Sequence, residues 1–462
     1  MRLKLRDFDA ESKSSCPITV GALQRVIPME GIAAALRETG VCTQRKRKLG
    51  LEEIVWWVIA MNLFRSLSLR AVMEKLTEGD DWTDLDRDER RPGANALVYR
   101  RYQLGARPMV ALFRRICRPM ATAETQGAFR WGLRLMAIDG SVEDVPDTPE
   151  TVAAFGRASS SRGKTAFPQV KGVYLVECGT HAIVDAGFWP YRTSERVGGF
   201  RLLRSVGPDM LVLWDRGFHD FDMLRIVRER GAHVLARLPA HVQPQKIRDL
   251  PDGSYLAWLL PSEYSRRKDG ERLQVRIVEY TITDPTLEGY GEIHRIITTL
   301  LDPKIASAME VACTSHERWE IELTIDEKDT HQRLAGLPLR SRKSVGVLQE
   351  LYGLLIAPNA IRFLMHEAAQ STRTDPDRLS FTHALRVIQA ATPYFQIADP
   401  AHLPQLYDKL LHEIARGRLP ERRLRVNPRC VKRKMSKFPV KSTEQRPPPQ
   451  PLRPFQQAIR LI

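Results

Sequence analysis

Two stretches share one design: Leu133-Arg134-Leu135-Met136-Ala137-Ile138-Asp139-Gly140-Ser141 and Met210-Leu211-Val212-Leu213-Trp214-Asp215-Arg216-Gly217-Phe218. Each is a short apolar run ending on an aspartate, which reads as a buried strand with a carboxylate at its C-terminal end. Gly140 and Gly217 are expected to let the backbone turn and to leave room for a ligand. Two neighbouring carboxylates repel, and one pKa rises unless a cation lies between them. Hard oxygen donors with open positions suit Mg²⁺ or Mn²⁺ and phosphate oxygens. Taken singly, each aspartate reads as a helix N-cap or a strand-end turn.

A third carboxylate comes from Arg318-Trp319-Glu320-Ile321-Glu322-Leu323-Thr324-Ile325-Asp326-Glu327-Lys328, the start of a helix. Arg318, Glu322 and Asp326 are spaced four apart and project from nearly one face. By itself that face reads as solvated and ion-paired. With Asp139 and Asp215 upstream, Glu322 completes a candidate metal-binding triad. In a two-ion site one ion activates an attacking water or 3′-hydroxyl and the other stabilises the leaving oxygen.

The elements around these stretches alternate. After Trp131 the order is three strands, helix, strand, helix, strand, with Gly179-Thr180 as the turn of a hairpin and Gly231 closing the second helix. This is an α/β mixed sheet flanked by helices. Residues 239–310 break the alternation with strands only, an all-β insertion before the last catalytic helix. Residues 1–125 read as a helical N-terminal domain that contains a basic loop, Arg45-Lys46-Arg47-Lys48. Ser68 and Asn95 are expected N-caps there. Arg100 and Arg101, on the second of two short helices, are candidate DNA contacts; the alternative is a plain helical bundle with solvated arginines. Residues 126–238 and 311–372 form the first and last parts of the α/β core. Pro358 is expected to kink or divide the apolar helical stretch of residues 344–369. Residues 373–415 read as a helical C-terminal region and 416–462 as a basic, Pro-containing tail.

A net charge of +16 over 462 residues points to a polyanionic partner, most simply nucleic acid. Eleven Lys and Arg against Glu421 alone fall between Arg416 and Lys441, so much of the surplus is local. That segment reads as a mobile arm that orders on a phosphate backbone. Six scattered cysteines, with no Cys-x-x-Cys pair, read as reduced thiols. The charged N-terminus is no signal peptide, and no apolar run reaches the ~18 residues of a membrane span. The expectation is a soluble, cytoplasmic protein without membrane contact.

These motifs resemble the insertion-sequence-four family of bacterial DDE transposases. Its first acidic motif is similar to Ala137–Ser141 with the downstream Asp147-Thr148-Pro149 and Ala153-Ala154-Phe155-Gly156-Arg157, and its second to Trp214–Phe218. Its third, a Tyr-Arg-Glu-Lys signature, is matched at Arg318 and Glu322. Ser315 stands at the Tyr position and Asp329 at the Lys position, with Lys328 one residue early. The resemblance implies a ribonuclease H-like core and two Mg²⁺ or Mn²⁺ ions on Asp139, Asp215 and Glu322. It implies cleavage at the ends of an insertion sequence and transfer of the 3′-hydroxyl to target DNA. The implied partners are double-stranded DNA, at terminal inverted repeats and target, and a second copy of the chain on paired ends. The implied setting is the bacterial cytoplasm, nucleoid-associated when DNA is bound. Arg318 and Lys328 are implied phosphate contacts. Some relatives hold a flipped base on an aromatic of the insertion; Trp258, Tyr280 and Tyr290 lie in that region. The alternatives are a metal-dependent nuclease that does not join strands and a DNA-binding protein on a decayed catalytic fold.

Overall fold

The computed structural model describes residues 21–41, 49–83, 93–160, 163–285, 289–328, 338–420 and 454–462. Arg45, Lys46, Arg47, Lys48, Asp329 and most of the basic segment lie outside the described residues. In chain order, five helices come first: α1 (Met29–Glu38), α2 (Leu51–Leu63), α3 (Leu69–Thr83), α4 (Ala94–Leu104) and α5 (Arg107–Ile116). Then follow β1 (Leu133–Asp144), α6 (Pro149–Phe155), β2 (Gln169–Glu177), β3 (Ala182–Pro190), α7 (Glu195–Leu202), β4 (Met210–Trp214), α8 (Phe221–Glu229) and β5 (His233–Arg237). Four strands succeed them, β6 (Gln245–Asp249), β7 (Tyr255–Leu259), β8 (Leu273–Ile282) and β9 (Ile293–Thr298), with a short helix at Tyr264–Lys268. The chain continues through α9 (Ala308–His316), α10 (Trp319–Asp326), α11 (Ser344–Thr372), α12 (Phe381–Ile397) and α13 (Leu403–Ala415) to a last strand, β10 (Ile459–Leu461). No helix among the described residues is long and apolar enough to cross a membrane.

The chain forms two compact units. The first comprises Met1–Phe129, Ala137–Ser205 and Glu320–Leu419; the second comprises Arg130–Met136, Val206–Trp319 and Pro420–Ile462. In the first, β2 and β3 form an antiparallel hairpin, β1 lies beside β2, and α7 packs on the hairpin. The hairpin loop is Cys178–His181, longer than the two residues expected, with Gly179 and His181 both at positive φ.

The helical part of the first unit is built on α11. Helix α2 is apolar on every side, so no face can be left in water, and it packs against α11. The approach is close because α11 presents Gly353, where a Cβ would stand 2.7 Å from Asn62 Nδ2 and 3.0 Å from Val58 O. The buried Asn62 donates through Nδ2 to Val58 O at 3.0 Å. Pro358 does not divide α11, which runs from Ser344 to Thr372. A proline inside a helix costs roughly 3 kcal/mol, and here nearly the whole of α11 around Pro358 is buried in contacts that outweigh that loss. Ser68 caps α3 through Ala71 N–H, as read, but α4 already begins at Ala94, so Asn95 is inside the helix and Gly93 precedes it.

In the second unit the strand order is β4-β5-β9-β8-β7-β6. β4 and β5 are parallel and the remaining pairs antiparallel, giving a mixed sheet. Helix α8 packs on β5, and α9 on β5 and β8. Gly231, at φ 75°, ends α8 as expected, with Ala232 N–H donating to Val227 O. Strand β9 pairs with β5, so the sheet of the core runs on into the strands of the insertion. Strand β10, near the end of the basic tail and not foreseen as structured, pairs antiparallel with β8.

Substituting Gly353→Ala sets a helix-propensity gain of about 1 kcal/mol against overpacking of roughly 1–3 kcal/mol. With atoms at 2.7 and 3.0 Å the second effect wins, and the variant's thermal midpoint is expected to fall in differential scanning calorimetry.

Candidate active site

Asp139 lies in the first unit and is half-buried. It does not end its strand: β1 continues through Asp144. Gly140 is extended, without positive φ, and makes no turn. What it supplies is space, since a Cβ there would be 3.1 Å from Gly172 O and 3.2 Å from Glu195 Cδ. The Asp139 side chain accepts the Gly140 N–H at 2.8 Å through Oδ1.

Asp215, in the second unit, directly follows β4, as read. It caps the 3₁₀ turn Arg216–Phe218, with Oδ1 accepting Gly217 N–H at 2.8 Å. The bland reading, a strand-end cap, is therefore true of Asp215, and it orients the carboxylate without excluding another role.

Glu322 belongs to the first unit, half-buried in α10 beside the fully buried Ile321. Helix α10 begins at Trp319, and Arg318 stands in the two-residue turn after α9, assigned to the second unit. Ser315, in the last turn of α9, donates to Ala312 O at 2.7 Å. His316 stacks on Phe455 at 4.3 Å and is pushed down to about 4, by burial first and then by Arg318. Among the described residues no three His, Cys, Asp or Glu side chains form a ready metal cage. The candidate donors are all carboxylate oxygens, the chemistry a hard divalent cation takes.

Two cations expected at phosphate are placed inside the protein. Lys328 is 1% exposed and ion-paired with Glu143, a fully buried residue of β1 that sequence reasoning did not single out. The signal was available: Asp139, Ser141 and Glu143 alternate along the strand and share a face. Arg101 is 5% exposed and donates to Gln349 Oε1 at 2.8 Å, Ser341 Oγ at 2.9 Å and Gly346 O at 2.6 Å. It ties α4 to α11 and the segment before it. Arg100 is half-buried and bonded to Leu49 O and Gln103. Of the insertion aromatics, Tyr280 is buried and stacked on His294, Trp258 is half-buried under Arg272, and Tyr290 is exposed.

Residues 17–114 match the family model for the insertion element 4 transposase N-terminal region, and residues 130–360 match the transposase DDE domain. The chain is 31% identical over 420 residues to the Escherichia coli K12 transposase InsG for insertion sequence element IS4, covering 89% of this chain and 91% of that one. It is 29% identical over 225 residues to the putative transposase InsZ of the same organism, covering 46% of this chain and 69% of that one. A solved structure of piggyBac transposase in a synaptic complex with hairpin DNA aligns at TM-score 0.44 and 11% identity, covering 92% of this chain and 87% of that one, too distant to bear on the reading.

Arg101→Ala is expected to destabilise the protein by roughly 2–4 kcal/mol, because it strands buried acceptors. The thermal midpoint should fall while the slope of DNA affinity against salt stays as in the parent. A phosphate contact would instead flatten that slope by about one.

Proposed function

The chain belongs to the insertion element 4 family of DDE transposases, and from that premise we propose that it cleaves DNA at the ends of an insertion sequence and transfers the freed 3′-hydroxyl to target DNA. We assign Asp139, Asp215 and Glu322 as the acidic triad. The observation that carries the assignment is that all three lie within the matched DDE span, 130–360, on the strand, strand end and helix described above. The three carboxylates would hold the divalent ions, Mg²⁺ or Mn²⁺, two per site. When bound, such ions neutralise charge on the scissile phosphate and its flanking oxygens.

The side chains have separate tasks around that centre. Gly217 N–H holds one oxygen of Asp215, and Gly140 N–H one oxygen of Asp139, so each carboxylate arrives oriented. Arg318, half-buried beside the start of α10, is the cation proposed to meet a phosphate near the scissile bond. Lys328 is not, since its Nζ is buried against Glu143. The basic run from Arg416 to Lys441 and the Arg45–Lys48 loop are proposed to grip the DNA backbone. Two copies on paired ends would supply the two cleavage events.

The test uses purified protein, Mg²⁺ and the DNA that flanks the gene. The protein is expected to nick the ends and then join a 3′-hydroxyl to a target plasmid. Asp139→Ala, Asp215→Ala and Glu322→Gln should each lower nicking on the order of 10³-fold or more, the loss of several kcal/mol of charge stabilisation, with DNA affinity held within a few-fold. Unchanged nicking in any of the three would sink the triad, and nicking without joining would favour the nuclease.

A further inference from the structure

We propose that the dipeptide Glu327-Lys328 is a two-sided clamp that sets where Glu322 stands relative to Asp139. The proposal rests on the assignment of those two carboxylates to the site, and every residue of the clamp lies in the first unit.

Both residues follow α10 in a π-helical turn, a local widening of the helix found frequently at functional sites. Being consecutive, they leave the helix in different directions and reach different neighbours. Lys328 turns to β1. Its Nζ pairs with Glu143, lies 5.2 Å from the Tyr174 ring centroid, and is 3.4 Å from Ser141 Oγ, which itself donates to Glu143 at 2.9 Å. Glu327 turns to α11 and the β2–β3 hairpin. It accepts from Arg362 Nε at 3.0 Å, and Arg362 also donates to His181 Nδ1 at 2.6 Å. His181 is held in turn at 3.0 Å from Asp377.

The geometry makes this a positioning device. Glu143 shares a strand face with Asp139 and lies about 13 Å further along it. Lys328 lies about 9 Å along the helix from Glu322. One ion pair would fix a point and leave the helix free to swing about it; two pairs in different directions fix its roll and its height as well. A buried ion pair stabilises little beyond what a well-packed apolar pair would, but a shift that separates the partners strands charge away from water. The pairs therefore act on register more than on stability; groups bonded directly to metal ligands change metal affinity about 10- to 100-fold when removed, and a device that acts through the strand and helix is expected at the low end of that range.

The test is calorimetric titration of the full chain with Mn²⁺, together with the Mn²⁺ dependence of nicking. Glu143→Gln/Lys328→Met removes the pair without leaving a buried charge. It is expected to weaken Mn²⁺ binding about tenfold or more, and to raise the Mn²⁺ needed for half-maximal nicking by the same factor, with DNA affinity unchanged. Glu327→Gln, which breaks the other arm, should shift both in the same direction and serves if the double variant melts below the assay temperature. Lys328→Arg, which keeps the charge, should recover most of the affinity. Parental Mn²⁺ binding in the double variant overturns the clamp, as does a loss of DNA affinity with a flatter salt slope, which would make Lys328 a phosphate contact. Glu322→Gln is the control: if it binds Mn²⁺ and nicks as the parent does, the triad fails; if it loses metal while the double variant keeps it, only the clamp fails.

Discussion

A carboxylate taken out of water must be met by a cation or by several hydrogen-bond donors, and much of the first unit is arranged to meet three of them. Glu350, on α11, receives Arg65 from beyond α2, the backbone N–H groups of Arg340 and Ser341, and the Ser341 hydroxyl. Glu143, on β1, receives Lys328. Glu327 receives Arg362; burial would raise its carboxyl, but Arg362 first and then the nearby His181 hold it at about 2. Each of these pairs joins segments far apart in the chain, so the helical part, the strands and the helix bearing Glu322 are drawn together by electrostatics as well as by apolar contact.

The same demand explains where a reading of the sequence succeeded and failed. Elements set by local periodicity were legible: strand β4 with Asp215 after it, the hairpin strands β2 and β3, α8 ending at Gly231, and the helices of residues 20–125. Strand β1 was legible only to Asp139, because Ser141 and Glu143 look like a polar turn until Lys328, 185 residues away, is known to cover them. Two of the cations expected at phosphate, Arg101 and Lys328, are buried instead. Arg65, Arg101, Arg276, Lys328 and Arg362 are all buried, serving inner acids and carbonyls, and composition cannot separate such residues from those that face DNA. Asp139, Asp215 and Glu322 were legible as carboxylates in telling positions. Glu143 was not singled out, although it alternates with Asp139 and Ser141 on one face of the strand.

The arrangement of α2 and α11 also has a consequence for the order in which the nascent chain can fold. Eleven of the thirteen residues of α2 are buried, and α11, one of its main covers, begins about 280 residues later. At a synthesis rate of about 5–20 residues per second, that interval lasts roughly 15 to 55 seconds. Val206–Trp319, which supplies most of the second unit, emerges within it and can begin to fold from local pairings. During the same interval Val58 and Asn62, which meet Gly353 and Glu350 of α11, lack the helix that covers them. That face of α2 therefore stays uncovered by α11 until synthesis passes Ser344, and slower synthesis before that point would lengthen the exposure in proportion.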